Sequence, residues 1–187
     1  MNFRDVKFVT SSTDLSFARK DNKPAILMVG RSNVGKSSLI NALTSQRIAF
    51  SSKKAGKTKL LNYFLIEDKF YLVDSPGYGS TSFATMSTIQ FSSMMEGYLK
   101  ESSLKAICLL LDFRREPGED DKAFYKFLVA SKKPIIAILT KMDTMNQSEK
   151  AKARKIALEL GFDQFLESDL TPKTLDKIRT VIASYGK

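Results

Sequence analysis

The sequence contains no histidine and only one cysteine, and both shortages exclude classes of chemistry. Without histidine, the protein cannot use a histidine general base or histidine-ligated metals. With Cys108 as its one thiol, it cannot form an intramolecular disulfide, so we expect a reducing, cytoplasmic environment. Cys108 stands within an apolar stretch, where it is expected to fill the core rather than to react.

Long apolar runs are also missing. The longest apolar stretch, residues 106–111, is far too short to cross a bilayer and suits a buried strand. The N-terminal residues lack the apolar block of a secretory signal. No basic amphipathic helix or lipidation signal is visible, so we expect no membrane association.

The residues that are present describe an ordinary globular chain with a basic charge. Hydrophobic residues make up 43% and charged residues 27% of 187 residues, which predicts one domain that includes an N-terminal extension over residues 1–22. The net charge is +10, from 30 basic and 20 acidic residues. This charge fits either a polyanionic partner, most commonly nucleic acid, or a basic and well-solvated surface.

Short apolar runs alternate with segments of helical spacing. Strands are predicted at residues 25–29, 60–66, 70–73, 106–111 and 135–139, and helices at 37–43, 120–130 and 148–160. This alternation predicts a three-layer α/β fold, with helices on both faces of a mostly parallel sheet and one antiparallel edge strand. Such sheets bind ligands at the carboxyl ends of their strands.

The first predicted strand leads into a complete G-x-x-x-x-G-K-[ST] phosphate-loop motif, here Gly30-Arg31-Ser32-Asn33-Val34-Gly35-Lys36-Ser37. In this motif, backbone amides and the start of the following helix surround the phosphates. Lys36 is expected to reach the β- and γ-phosphates, and the Ser37 hydroxyl to ligate Mg²⁺.

Two further segments are predicted to meet Mg²⁺ and the γ-phosphate. Asp74 ends a predicted strand, where P-loop proteins hold Mg²⁺, and Gly77 follows to offer its amide to the γ-phosphate. Between this segment and the phosphate loop, Thr58 is the candidate to complete the Mg²⁺ shell when a triphosphate is bound. Its neighbours Gly56 and Lys57 give the loop the mobility that this role requires.

A fourth segment, Thr140-Lys141-Met142-Asp143, predicts guanine rather than adenine. The Asp143 carboxylate can accept hydrogen bonds from the N1–H and 2-amino groups of guanine, and adenine offers no such pair. Lys141 can lay its aliphatic stem over the base.

Together these segments resemble the small Ras-like GTPases of the translation-factor (TRAFAC) class, and in particular the EngB family of ribosome-biogenesis GTP-binding proteins. Threonine at position 140 is typical of that family, and Asp112-Phe113-Arg114 resembles its Asp-x-Arg element. The resemblance implies slow GTP hydrolysis with Mg²⁺, assistance in assembling the large ribosomal subunit, and a role in growth and division. It also implies an extra N-terminal strand, compatible with the alternation of Phe3, Val6 and Phe8.

The resemblance carries the nucleotide site over residue by residue. Lys36, Thr58 and Gly77 take the catalytic roles, and Ser37, Thr58 and Asp74 hold the metal. The residues expected to bind nucleotide are Gly30, Arg31, Ser32, Asn33, Val34, Gly35, Lys36, Ser37, Ser38, Gly56, Lys57, Thr58, Asp74, Gly77, Thr140, Lys141, Asp143 and Ser168. Ser168 stands where family members carry a Ser-Ser or Ser-Ala pair whose backbone contacts guanine O6, and the glycine that follows in the family is missing near residues 173–174.

Three expectations concern activity and partners. Tyr78 replaces the usual water-positioning glutamine, which predicts slow hydrolysis that a partner accelerates. Asn33 is a candidate to hold K⁺ beside the phosphates, as in related GTPases; a plain loop asparagine is the alternative. Residues 46–66 carry five basic and no acidic residues, which predicts contact with ribosomal RNA or, alternatively, a solvated loop.

Two other functions share some of these motifs. A small nucleoside kinase would share the phosphate loop, but it would not need the segments at residues 74–77 and 140–143. A nucleotide-controlled RNA-binding module with vestigial hydrolysis is compatible with Tyr78. Nothing in the sequence indicates an obligate oligomer, so we expect a monomer.

Overall fold

A computed structural model describes residues 1–12, 22–49, 60–79 and 85–187, the side chains of residues 85–90 excepted. Its seven strands are β1 (Val6–Ser12), β2 (Ala25–Gly30), β3 (Leu61–Ile66), β4 (Phe70–Asp74), β5 (Leu104–Leu111), β6 (Ile135–Leu139) and β7 (Phe165–Glu167). Its α-helices are α1 (Lys36–Thr44), α2 (Thr85–Leu99), α3 (Glu119–Ala130), α4 (Gln147–Glu159) and α5 (Pro172–Tyr185).

The strands form one sheet in the order β1-β3-β4-β2-β5-β6-β7. Strands β4, β2, β5, β6 and β7 pair in parallel, and β3 runs antiparallel to both of its neighbours. The predicted α/β fold is therefore confirmed. The antiparallel strand lies one position in from the edge, because β1 from the N-terminal segment pairs along its outer side.

Helices cover both faces of the sheet, and the strand β2 shows how the two faces are divided. Its residues are all buried and point alternately to opposite sides: Leu27 and Val29 join a core that includes residues of α2, α3 and α4. Ile26 and Met28 join a second core that includes residues of α1 and α5. A strand that is apolar on both faces is what a central parallel strand requires.

Cys108 is fully buried in β5, as its apolar surroundings predicted. Burial raises the pKa of its thiol to about 12, so the group stays protonated and unreactive near neutral pH.

The parallel strands bring their carboxyl ends to one edge of the sheet. Gly30 of β2, Leu111 of β5 and Leu139 of β6 end there, and the phosphate-loop and guanine motifs follow directly. Within the described part of the chain, no helix has the length and apolar character needed to cross a membrane.

Candidate GTP-binding site

The phosphate loop connects β2 to α1 through two residues in the left-handed region. Asn33 has φ 65° and Gly35 has φ 104°, a value that favours glycine because a side chain would be strained there. The turn ends at Lys36, where α1 begins, and the first intrahelical hydrogen bond runs from the Leu39 amide to the Gly35 carbonyl at 2.9 Å. The amides before Leu39 have no intrahelical acceptor, so this end of α1 fits a phosphate group.

Lys36 and Asp74 form an ion pair at the floor of the site. Their side chains are only 10% and 6% exposed, so each charge depends on the other for neutralisation. A bound nucleotide would give Lys36 phosphate oxygens as partners and leave the Asp74 carboxylate for a cation. The predicted catalytic lysine and the predicted metal-site carboxylate are thus brought together.

The donor set at this position suits Mg²⁺. Mg²⁺ prefers oxygen ligands and is commonly held by one or two protein groups together with substrate phosphates. The Ser37 hydroxyl and the Asp74 carboxylate are such groups. No cluster of three acidic or cysteine side chains that could hold a metal by itself occurs among the residues described.

Gly77 packs directly on the phosphate loop. A Cβ atom at this position would lie 2.9 Å from the Ser32 Cα, so only glycine allows the approach. The next residue is bonded on both sides: the Tyr78 amide donates to the Gly30 carbonyl at 3.2 Å, and the Ser32 amide donates to the Tyr78 carbonyl at 2.9 Å. The loop after β4 therefore continues beside the phosphate loop as far as Tyr78.

Thr140 ties the guanine motif to the phosphate loop. Its buried hydroxyl donates to the Val34 carbonyl at 2.8 Å and lies 3.2 Å from the Leu111 carbonyl, to which the Thr140 amide also donates. Thr140 therefore uses its hydroxyl inside the protein, where it links the loop after β6 to the phosphate loop.

Lys141 crosses over the phosphate loop. Its ammonium donates to the Asn33 carbonyl at 2.6 Å and lies 2.9 Å from the Asp112 carboxylate. Burial would raise the pKa of Asp112, but hydrogen bonds from Arg114 and Lys141 outweigh it and hold the pKa at about 2. The Asp-x-Arg element thus fixes the lysine whose stem is expected to cover the base.

Asp143 lies in a short 3₁₀ helix, Met142–Thr144, directly after this lysine. The residue is exposed, and its carboxylate has no side-chain hydrogen bond or ion pair within the described residues. A free, accessible carboxylate at this place can accept both donors of a guanine edge.

Ser168 lies beside the same 3₁₀ helix, as its carbonyl accepts from the Met142 amide at 3.2 Å. Its own amide is already used, since it donates to the Leu139 carbonyl at 2.8 Å. Its hydroxyl is buried and has no hydrogen-bond partner among the residues described. The structure therefore brings Ser168 next to the segment that carries Lys141 and Asp143 but leaves its amide unavailable to a base.

Three predicted residues, Gly56, Lys57 and Thr58, lie outside the described residues. One residue that sequence reasoning missed is Asp121, a buried carboxylate next to the phosphate loop. The sequence signal that could have drawn attention to Asp121 is its position near the start of a predicted helix. Asp121 is the third residue of α3 and accepts from the Gly118 amide at 3.0 Å, which is ordinary helix capping. Its contact with Arg31, 90 residues away, required the fold.

The sheet order, the strand-loop-helix phosphate site and the free carboxylate after β6 define a P-loop GTPase domain. Comparison with known proteins agrees. Residues 25–141 match the family model described as "50S ribosome-binding GTPase". The chain is 42% identical to a probable GTP-binding protein EngB of Mesoplasma florum, over 94% of this chain and 90% of that one. It is 40% identical to the corresponding protein of Fusobacterium nucleatum, over 95% of each chain.

Solved structures show the same fold. A crystal structure of a probable GTP-binding protein engB superposes with a TM-score of 0.64 at 18% identity, covering 86% of this chain and 97% of that one. Era in complex with MgGDPNP and nucleotides of 16S ribosomal RNA gives 0.63 at 22% identity, over 87% of this chain and 56% of Era. The chain belongs to the EngB family of GTP-binding proteins. It is a GTP hydrolase, and the nucleoside-kinase alternative is not supported.

Proposed function

We propose that this GTPase assists assembly of the large ribosomal subunit in the cytoplasm, and that growth and division depend on it. It acts as a monomer that alternates between GTP and GDP states. The observation that carries the proposal is the match over residues 25–141 to a family described as binding the 50S ribosome. The net charge of +10 suits an RNA-rich partner.

The nucleotide site divides into three tasks. Lys36 and the amides at the start of α1 neutralise the phosphates. Ser37, Asp74 and Thr58 would hold Mg²⁺, which neutralises developing charge when it is bound. Gly77 offers its amide to the γ-phosphate, so that the segment beyond it depends on whether that phosphate is present.

Base recognition uses Asp143 for the guanine N1–H and 2-amino groups, with Lys141 covering the ring. The Ser168 amide already donates to the Leu139 carbonyl, so it is not available to guanine O6. The Asp169 carboxylate is occupied with hydrogen bonds from Thr171 and Thr174, which lower its pKa to about 2 and hold this turn together.

The basic segment at residues 46–66 is the proposed RNA contact. It supplies Arg47, Lys53, Lys54, Lys57 and Lys59, which together equal half of the net charge of +10, and it contains no acidic residue. Its residues 46–60 lead from α1 of the phosphate site to β3. RNA binding through this segment would therefore respond to the bound nucleotide.

The test is co-sedimentation of the protein with purified 50S subunits in the presence of GDP or a non-hydrolysable GTP analogue. We expect more binding with the GTP analogue and a steep loss of binding as salt rises. Replacing Lys53 and Lys54 by glutamine should weaken binding, whereas replacing the exposed Lys132 and Lys187, a matched change of charge elsewhere, should not. Binding that ignores both nucleotide and salt would contradict the proposal.

Hydrolysis is expected to be slow, because Tyr78 is a buried aromatic residue where a water-positioning side chain would stand. Single-turnover rates with and without 50S subunits test this: acceleration supports a partner-activated GTPase, and no change favours an RNA-binding module with vestigial hydrolysis. The proposed K⁺ site rests on Asn33, which is exposed in the phosphate loop. Equal rates in sodium and potassium buffers would remove it.

A further inference from the structure

A cluster of charged and aromatic side chains lies beside the phosphate loop. Its centre is the Asp121 carboxylate, which is 1% exposed. Arg31 of the phosphate loop donates to it at 3.1 Å, and Arg115 donates at 3.0 Å. Burial opposes the charged carboxylate, but the hydrogen bonds from Gly118, Arg115 and Arg31 lower its pKa, so Asp121 is ionised at neutral pH.

The same cluster holds Tyr78. The tyrosine ring packs on Phe124 of α3 with a centroid distance of 4.1 Å, and the residue is 7% exposed. Burial first, then Tyr125 and Asp121, raise the pKa of Tyr78, so its hydroxyl stays protonated. Tyr78 is therefore fixed twice: its backbone is bonded to Gly30 and Ser32, and its side chain is packed against α3.

Arg31 links these two attachments. Its backbone forms a parallel bridge with Tyr78, and its guanidinium reaches Asp121. Arg31 also lines a cavity of about 240 Å³ together with Tyr78, Asp121 and Arg115. Gly79 lies against the same guanidinium, since a Cβ atom there would come within 3.2 Å of an Arg31 nitrogen, so the position of Arg31 is set by the ion pair with Asp121 together with this contact.

We propose that Asp121 is a positioning residue for GTP hydrolysis, which holds Arg31 and Tyr78 so that the neighbouring Gly77 amide is placed for the γ-phosphate. This inference rests on the proposed role of Gly77. GDP has no γ-phosphate, so Asp121 is needed for hydrolysis and for the preference for GTP over GDP, but not for GDP binding.

The experiment compares Asp121→Asn with the wild-type protein in single-turnover GTP hydrolysis and in displacement of fluorescent GDP. We expect hydrolysis at least tenfold slower, with GDP affinity within twofold of wild type. Asp120→Asn is the matched control, since it removes an exposed carboxylate from the same helical turn and should change neither value. Equal losses of hydrolysis and GDP affinity, together with a lower melting temperature, would show a merely structural role and overturn the proposal.

Arg31→Gln provides a second variant, because its side chain is 35% exposed and the protein should tolerate it. It should also slow hydrolysis, and adding Asp121→Asn to it should slow hydrolysis less than threefold further. Fully multiplicative effects would mean that Asp121 does not act through Arg31. Gly77→Ala separates the two proposals. Normal GTP hydrolysis in that variant contradicts the role of Gly77. Slow hydrolysis in Gly77→Ala, combined with normal hydrolysis in Asp121→Asn, contradicts only the role of Asp121.

Discussion

Replacing Asp143 by asparagine tests how the protein recognises its base. Asparagine has almost the same size, but it offers one neutral acceptor and one amide donor in place of a carboxylate. The donor would face the 2-amino group of guanine and repel it. In xanthine a carbonyl oxygen replaces that amino group, so the same donor becomes a hydrogen-bond partner. We therefore expect weaker GDP binding and stronger binding of xanthosine diphosphate.

The structure sets the size of the effect. Asp143 is exposed and, within the described residues, makes no side-chain hydrogen bond or ion pair beyond the longer-range attraction of Arg114, so its replacement should change the free energy of unfolding by less than about 0.5 kcal/mol. Hydrogen bonds to a charged group contribute about 1.5–3 kcal/mol each. The variant loses one of the two hydrogen bonds to guanine, and the acceptor of the other is no longer charged. Together these losses should weaken the binding free energy of GDP by about 2–4 kcal/mol, or raise its Kd roughly 30- to 1,000-fold.

The assay is displacement of a fluorescent GDP by GDP, xanthosine diphosphate and ADP, with thermal unfolding measured on the same samples. Asp163→Asn, another exposed aspartate, is the control and should behave as wild type. If Asp143→Asn binds GDP within threefold of wild type, the carboxylate does not recognise the base. If its stability falls instead, Asp143 has a structural role that the contacts do not show.

Two further predictions concern residues that position the site. Thr140→Val keeps the side-chain shape but leaves the buried Val34 carbonyl without its donor, so the protein should lose about 1–3 kcal/mol of stability in denaturant unfolding. Thr140→Asn can still donate a hydrogen bond and should recover part of this stability. A valine variant as stable as the wild type would contradict the role of the hydroxyl. Asp112 has a folded pKa of about 2, below its ordinary value of 3.8, so its contribution to stability is present above about pH 4 and is lost as the pH falls towards 2. That contribution is roughly 2 kcal/mol, and Asp112→Asn should flatten the dependence of unfolding free energy on pH between 2 and 5. An identical pH profile in the variant would mean that other carboxylates are responsible.

Local patterns were sufficient for the central part of the fold. Strands β2 and β6 and residues 106–111 of β5 are short and uniformly apolar, so their burial on both faces followed from composition alone. The phosphate loop was equally clear, because its glycine and lysine spacing describes a backbone shape that few other sequences adopt. The strand β7 has three half-buried residues and no apolar run, so no local pattern marked it. Its pairing with β6 is what places Ser168 near the guanine loop.

The sequence by itself thus determined the order of the motifs and predicted which groups meet phosphate, metal and guanine, because each motif is a contiguous run with its own chemistry. Tertiary structure decided which of these groups are available. It showed that the Ser168 amide and the Thr140 hydroxyl are used inside the protein, whereas the Asp143 carboxylate is accessible. It also brought Asp121 to Arg31 across 90 residues of chain, a contact between long-range partners that no spacing in the sequence encodes.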